Sequence, residues 1–186
     1  QAGLDSEGRL VDTAVADALV AAVKGQPGTI AAYKQEAKKQ NQPLAFALSD
    51  ITALASAKFG YSAEDVLNTC QALYETHKLT SYPRTDCAYL PESQHADAPR
   101  VLEAIKHVNP ELAGLVDGAD PRIKSKTWDD SKITAHHGIV PTMQKGSKAA
   151  LSERERNIYD LIVRAYLAQF YPLHEYMQTT VGVEIA

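Results

Sequence analysis

The sequence predicts a mainly α, α+β protein in which a helical domain lies between short strands at the two ends. Apolar residues recur three and four positions apart through most of the chain, whereas the last residues alternate with a period of two. Of the 186 residues, 45% are hydrophobic and 23% are charged, which is typical of a globular protein and excludes a disordered or collagen-like chain.

The two ends of the chain carry the strand signals. Near the C-terminus the alternating apolar positions are Met177, Thr179, Val181, Val183 and Ile185. This period of two predicts an edge strand that needs a partner. Residues 29–38 are ambiguous, with Ile30 and Tyr33 fitting a short strand, and 38–43 is interpreted as a polar loop. Because the chain starts at Gln1 and stops within a strand pattern, we expect a piece of a longer protein.

Three helices are predicted in the first half of the chain. The first spans 11–23 and is closed by Gly25. The second starts at Ser49 or Asp50 and ends at Gly60, with an apolar face of Ile51, Leu54, Ala55 and Phe59. The third starts at Ser62, and its inward face consists of Val66, Cys70, Leu73, Tyr74 and His77. Cys70 is therefore predicted to lie in the core.

The second half contains two further clear helix patterns. One begins at about Asp97 with Pro99 in its first turn, and a short helix follows over 110–116. Residues 117–148 are rich in turn formers and are predicted to be loop with short helices. The last helix starts at the Ser152 and Glu155 capping box, and its stripe contains Ile158, Leu161, Ile162, Ala165 and Tyr166.

Charge and cysteine content restrict the function classes. The formal net charge of −4 argues against binding nucleic acid through bulk positive charge. No apolar run approaches the ~18 residues of a membrane span, so no membrane partner is expected. Cys70 and Cys87 are too few for a disulfide framework, which favours a reducing compartment.

One segment departs from the acidic balance. Residues 122–148 contain six basic and two acidic side chains, together with Trp128 and the pair His136 and His137. Basic groups close to rings are typical of proteins that bind single-stranded nucleic acid. A solvated lysine-rich loop is the alternative interpretation.

A second candidate is the turn-rich segment 79–87, which contains Tyr82, Arg84 and Asp86. It is compatible with a plain turn that carries a surface pair of Arg84 and Asp86. It is also compatible with a tyrosine nucleophile that attacks a phosphodiester beside an arginine. Since a phenol has a pKa of about 10, its oxide leaves more readily than a sugar alkoxide, and such a linkage is reversible.

Three blocks in order resemble the type IA DNA topoisomerases. The string L-Y-E-T-H-K-L-T-S-Y-P-R-T-D-C, at 73–87, resembles their active-site tyrosine motif. The string D-D-S-K-I-T-A-H-H-G-I-V-P-T, at 129–142, resembles a block of the topoisomerase III branch, in which a doubled histidine replaces the His-Glu of the topoisomerase I branch. The run P-L-A-F-A-L-S-D, at 43–50, resembles the family's entry into its helical domain.

The resemblance implies a role for three residues. Tyr82 would be the nucleophile that takes a DNA strand as a 5′-phosphotyrosine. Arg84 would hold the scissile phosphate through a bidentate, charge-assisted contact. His136 would correspond to the family's histidine near the same phosphate.

Other residues of the two motifs have supporting roles or depart from the family pattern. Lys132 and Asp86 are expected to support the DNA contacts. His137 is expected to be a packing or hydrogen-bonding residue. Ala88 stands where relatives often have arginine, so one DNA contact is expected to be missing. Gly138 replaces the usual alanine, with no obvious consequence.

The resemblance also implies what lies outside this chain. The family's Mg²⁺ ligands belong to a TOPRIM domain with a D-x-D core, and no two aspartates here stand two apart. We therefore expect Mg²⁺ in the full-length enzyme but none bound by this fragment. Expected partners are single-stranded DNA and the missing TOPRIM and other domains, in the cytoplasm of a bacterium in association with the nucleoid.

The implied organisation is a segment of a toroidal multidomain enzyme. Residues 1–48 would belong to a β-rich hinge arch, 49–172 to the helical domain that bears the tyrosine, and 173–186 to the returning strand of the arch. This fragment would relax or decatenate DNA only as part of the whole enzyme and be inactive by itself.

Two other function classes remain as alternatives. A relaxase-like tyrosine nuclease would hold a metal with a histidine pair, but such pairs are normally separated by one hydrophobic residue, unlike His136 and His137. A non-catalytic module that binds single-stranded DNA or serves as a scaffold would need only the basic segment.

Overall fold

The computed structural model describes residues 3–133 and 135–185 and divides into two compact units. The ribbon unit runs to Lys39 and resumes at Glu175, and the helical unit is Gln40–His174. Gln1 and Ala186, at which the sequence starts and stops, lie outside the described residues, as does Thr134 of the second motif. The predicted domains 1–48, 49–172 and 173–186 stay a prediction.

The ribbon unit contains one helix and most of two paired strands. Helix α1 (Thr13–Val23) begins where the Asp12 carboxylate accepts hydrogen bonds from the backbone N–H groups of Ala14 and Val15. It thus starts two residues later than the predicted 11–23. None of its residues is buried.

Strands β1 (Gly28–Gln40) and β2 (His174–Ile185) form a two-stranded antiparallel sheet. Lys39 Nζ lies 2.6 Å from Glu175 Oε1, and Gln35 Nε2 donates to Thr179 Oγ1 at 3.3 Å. The predicted C-terminal strand is confirmed, and β1 is its partner. The predicted loop over 38–43 is wrong in its first residues, because β1 continues to Gln40. Since β1 is exposed on both faces, its polar residues show no alternation that marks it as a strand.

The helical unit contains the five remaining α-helices of the described chain. They are α2 (Leu48–Phe59), α3 (Ala63–Glu75), α4 (Ala98–Val108), α5 (Ala113–Asp117) and α6 (Glu153–Ala168). Helix α6 packs against α3 and α2. Its predicted capping box is confirmed, since Ser152 Oγ accepts from the Glu155 N–H at 3.3 Å and Glu155 Oε2 accepts from the Ser152 N–H at 2.7 Å.

The predicted inward faces contribute to the core of the helical unit, since Ile51, Leu73 and Ile162 are fully buried. Phe170, which belongs to no predicted face, is fully buried as well. Cys70 is also fully buried, which confirms its core assignment, and this burial raises the pKa of its thiol to about 12. Leu54 is 40% exposed, so its predicted place on the inward face of α2 is wrong.

The segment after α5 is loop with short 3₁₀ turns, as predicted, at Asp130–Lys132 and Lys148–Ala150. It is nevertheless tied into the core. Leu90 N donates to Thr127 O at 2.7 Å, and Thr127 is fully buried. Thus the loop is held by hydrogen bonds and by buried side chains such as Trp128 and Ile139, although its apolar residues follow no regular period.

Within the described residues, no helix is long and apolar enough to cross a membrane.

Candidate functional site

The segment that carries Tyr82 leaves helix α3 through a left-handed turn. Lys78 has φ of +57°, a value that few side chains adopt. On its far side, Leu79 N donates to Leu73 O and Leu79 O accepts from Thr142 N, both at 2.9 Å. The chain is thereby held to α3 on one side and to the segment around Thr142 on the other.

Beyond Tyr82 the side chains alternate between core and solvent. Pro83, Thr85 and Cys87 are buried, whereas Arg84 and Asp86 are exposed. Thr85 O accepts from Leu48 N at 2.9 Å, and Thr85 Oγ1 accepts from Cys87 N at 3.1 Å. Anchoring the buried residues in this way presents the guanidinium and the carboxylate outward.

Tyr82 lies between two rings. Its ring centroid is 5.0 Å from that of His136 and 5.6 Å from that of Tyr74, the latter in an edge arrangement. Such aromatic contacts restrict the ring without engaging its hydroxyl. The fold thus brings the predicted nucleophile and the predicted phosphate-side histidine into contact, although they are far apart in sequence.

Backbone hydrogen bonds hold the tyrosine and histidine segments together. Ser81 N donates to Val140 O at 2.9 Å, and Ser81 Oγ accepts from Val140 N at 3.0 Å. Ser81 Oγ also donates to Gly138 O at 3.2 Å, and Gly138 N donates to Tyr89 O at 2.8 Å. The distance between Tyr82 and His136 is therefore set by their immediate neighbours.

An open groove of about 1060 Å³ lies beside this contact. Its wall includes Arg84, Asp86 and His136, together with α2 and the hydroxyl residues Tyr61 and Ser62. Within residues 3–133 and 135–185 the Arg84 guanidinium makes no ion pair or hydrogen bond. The interpretation of Arg84 and Asp86 as a surface pair is therefore wrong, and the cation is available to a phosphate.

The other predicted residues take different positions. Lys132 is exposed, but it is not among the described residues that line the groove. Its carbonyl oxygen accepts a hydrogen bond from Cys87 Sγ at 3.6 Å. His137 is half-buried, with Nδ1 2.8 Å from Gly138 O. Only Arg84, Asp86 and His136 of the predicted set share the groove.

Gly138 has a structural consequence that its sequence position did not reveal. A Cβ added there would lie 2.9 Å from the Ala45 Cβ and 3.3 Å from the Ala88 carbonyl carbon. The glycine permits this close approach, and an alanine would require the neighbouring chain to move.

The basic segment is less available for binding than its composition suggests. Three of its six cations form ion pairs with acids outside it: Arg122 with Asp120, Lys124 with Glu92, and Lys148 with Glu111. Trp128 is only 5% exposed and packs against Tyr166 and Phe170. The expectation of an exposed Trp128 ring beside the basic groups is wrong, because that ring packs in the core.

The donor chemistry of a metal site is missing from the part of the chain that the structure describes. No group of three or more His, Cys, Asp or Glu residues in it is arranged to hold a metal ion. The residues present here do not fit a Mg²⁺ site, and the location of the Mg²⁺ ligands on another domain stays a prediction.

Tyr74, which the helical periodicity places on the core face of α3, also contacts Tyr82. The two rings form an edge arrangement, and Lys78 Nζ lies 5.9 Å from the Tyr74 centroid. No motif indicates this, because the contact depends on how α3 packs against the following turn.

Comparison with known proteins identifies the family. A family model described as DNA topoisomerase matches residues 2–186. The chain belongs to this family. A DNA topoisomerase 3 of Vibrio cholerae is 42% identical over 182 residues, and one of Salmonella typhimurium is 41% identical over 182 residues. Each match covers 98% of this chain and 28% of the relative, so the chain spans little more than a quarter of those topoisomerases.

A solved structure supports the fold. The topoisomerase I of Thermotoga maritima matches with a TM-score of 0.60 at 20% identity, over 97% of this chain and 29% of that chain. The relatives confirm the resemblance to type IA topoisomerases of the topoisomerase III branch. The predicted α+β class is likewise confirmed.

Proposed function

We propose that the full-length topoisomerase containing this chain cleaves one strand of DNA through Tyr82, passes a strand through the break and reseals it. The observation that carries this proposal is the contact of Tyr82 with His136, beside a groove lined by Arg84, which has no ion pair with any residue that the structure describes. DNA in the bacterial cytoplasm is the substrate, and relaxation or decatenation is the result.

The chemistry is a reversible phosphoryl transfer. Tyr82 Oη loses its proton and forms a bond to phosphorus, while the bond from phosphorus to the 3′ oxygen breaks and that oxygen takes up a proton. The 5′ end is then held as a phosphotyrosine. Attack by the free 3′ hydroxyl reverses each change, so one phosphodiester is exchanged for another and no ATP is needed.

Arg84 and His136 supply the electrostatics in this proposal. The exposed guanidinium offers two parallel N–H donors to the phosphate oxygens, a geometry that lysine does not match. His136 lies against the Tyr82 ring and on the same groove, which supports a role at the same phosphate. Asp86 and Lys132 would assist with the strand on either side.

The organisation of the whole enzyme belongs to the same proposal. The helical unit would be the gate that bears the tyrosine, inserted in a β-rich hinge arch to which the strands β1 and β2 belong. Magnesium ligands and a closing TOPRIM domain would come from the remaining length of the polypeptide. The described residues by themselves would bind single-stranded DNA weakly and cleave none.

The test replaces the Tyr82 hydroxyl alone. Tyr82→Phe in the full-length protein is expected to abolish the covalent adduct with single-stranded DNA, while affinity for the strand changes by only a few-fold. Tyr33→Phe, at an exposed tyrosine of β1, is the matched control and should leave adduct formation unchanged. Adduct formation by Tyr82→Phe would contradict the proposal.

The isolated chain separates this proposal from a complete nuclease. It is expected to fold, to bind single-stranded DNA only at low salt, and to form no adduct with or without Mg²⁺. An adduct from the 186 residues alone would mean that a complete active site is encoded here.

A further inference from the structure

A second cavity of about 250 Å³ adjoins the site segments. Ser81 and His137 line it, and their chain neighbours Tyr82 and His136 form the ring contact of the candidate site. Because adjacent Cα atoms are about 3.8 Å apart, the cavity begins within one residue of the nucleophile. The hydrogen bonds between Ser81 and Val140 fix the position of the cavity relative to Tyr82 and His136.

The walls of this cavity are apolar and aromatic. Trp128, Val140, Met143 and Tyr166 contribute to them. The Trp128 Nε1–H group is buried and has no acceptor among the described residues. A buried polar group without a partner is uncommon and is consistent with a wall that adjusts to a ligand or to water.

Two hydrogen-bonding groups on the cavity, the Tyr166 hydroxyl and Asp97 Oδ2, have no partner among the described residues. Tyr166 is 3% exposed, and its hydroxyl makes no hydrogen bond within residues 3–133 and 135–185. Burial, and next the Asp97 carboxylate, raise the pKa of Tyr166, so the hydroxyl keeps its proton as a donor. Asp97 Oδ1 accepts from Arg100, whereas no donor to Asp97 Oδ2 lies among the described residues.

His137 adds an acceptor. Its Nδ1 lies 2.8 Å from Gly138 O, and because a carbonyl oxygen only accepts, Nδ1 carries the hydrogen. In the neutral ring Nε2 is then an acceptor. The cavity therefore combines flat apolar walls with acceptors at Asp97 and His137, a donor at Tyr166 and the amide of Gln94.

We propose that this cavity receives one unstacked base of the single strand, at a nucleotide next to the cleaved bond. This inference rests on the proposed function. A volume below that of a drug-sized pocket suits a planar base, and apolar walls with a few polar groups are how proteins hold an extruded base. Tyr82 would react with the phosphate while the cavity sets which base lies beside it.

The polar groups also favour one class of base. A carboxylate accepts from amino groups such as N4 of cytosine and repels carbonyl oxygens. Adenine, cytosine and guanine each present an exocyclic amino group, whereas thymine presents carbonyl oxygens on either side of its N–H. Asp97 therefore selects an amino-bearing base over thymine.

The experiment maps cleavage by the full-length protein on single-stranded oligonucleotides of mixed sequence. Wild type should disfavour thymine at one position flanking the break. Asp97→Asn adds amide donors, so this discrimination should fall by about fivefold. Met143→Trp, at a side chain 45% exposed on the cavity wall, should abolish it, whereas Met143→Leu should retain it.

An abasic nucleotide is the second probe. Placed at the discriminating position it should reduce adduct formation by wild type and leave Met143→Trp unaffected. If adducts form while base preference is the same in wild type, Asp97→Asn and Met143→Trp, the cavity does not bind a base, although the role of Tyr82 stands. An adduct with Tyr82→Phe would instead overturn the proposed function.

Discussion

The helical unit and the ribbon unit differ in how they bury apolar surface. Within the described residues, every buried apolar side chain lies between Ala45 and Phe170. In the ribbon unit the large apolar side chains Ile30, Val20 and Val183 are 65%, 59% and 56% exposed. The helical unit thus has a core of its own, whereas the ribbon unit is held mainly by the pairing of its strands.

This difference shows which unit fixes the positions of the side chains of the candidate site. Tyr82 and His136 are positioned by hydrogen bonds and packing inside the unit that has the core. Exposed ion pairs such as that of Lys39 with Glu175 stabilise a fold by little. Every described residue that lines the groove therefore belongs to the helical unit.

The largest expected effect tests the difference in burial. Phe170 is fully buried against Trp128 and Tyr166. Phe170→Ala should lower the free energy of unfolding by about 3–5 kcal/mol through lost burial and a cavity. Val183→Ala, at an exposed position of β2, should change it by less than about 0.5 kcal/mol. Urea unfolding measures both, and equal losses would contradict two units with unequal cores.

A smaller effect concerns the contact that we propose between Arg84 and the phosphate. Arg84→Lys in the full-length protein keeps the charge but removes the bidentate fork, so we expect DNA cleavage to fall by more than about tenfold. Lys34, an exposed cation of β1, is the control, and Lys34→Arg should leave cleavage unchanged. Cleavage rates on one oligonucleotide check this, and a wild-type rate for Arg84→Lys would show that charge alone suffices.

The smallest effect is a pH dependence of stability. Burial acts to raise the pKa of Glu155, but hydrogen bonds from Ser152 and the contact with His77 outweigh it and hold that pKa below its ordinary value of 4.5. The resulting stability is present above the unfolded pKa and is lost as pH falls through the folded pKa. Wild type should exceed Glu155→Gln by about 0.5 kcal/mol at pH 7.

The measurement is urea unfolding of wild type and of Glu155→Gln, at pH 7 and at successively lower pH. The difference between them should disappear once Glu155 is protonated. Glu175 of β2 also has a lowered pKa, from its hydrogen bond with Lys39, but it is fully exposed. Glu175→Gln should therefore follow wild type at every pH. If wild type and Glu155→Gln still differ in free energy of unfolding at low pH, the effect of Glu155 does not come from its charge.

The sequence predicts features of the fold that depend on local signals better than features that depend on distant contacts or on exposure. The capping box at Ser152 and the stripe of α6 are local signals that the fold uses directly, so this helix was predicted correctly. The sequence leaves strand β1 ambiguous, because a strand exposed on both faces shows no alternation of apolar and polar residues. The burial of Trp128 was missed because residues far away in sequence, Tyr166 and Phe170, decide it.

The candidate site divides in a comparable way. The motif strings indicated Tyr82, Arg84 and His136 through resemblance, and the contact of Tyr82 with His136 agrees with that grouping. Local charge counting overestimated the basic segment, since half of its cations pair with acids outside it. The cavity beside Ser81 and His137 has no sequence signal, because its walls come from separate elements.

The hydrogen bonds that join Ser81, Gly138 and Val140 have a consequence for motion. Amide groups that share one network become accessible to deuterium together when a region opens. The Ser81 and Val140 amides depend on each other for their acceptors. Any local opening that frees one should free the other, so we expect the segments that carry Tyr82 and His136 to open as a single cooperative unit.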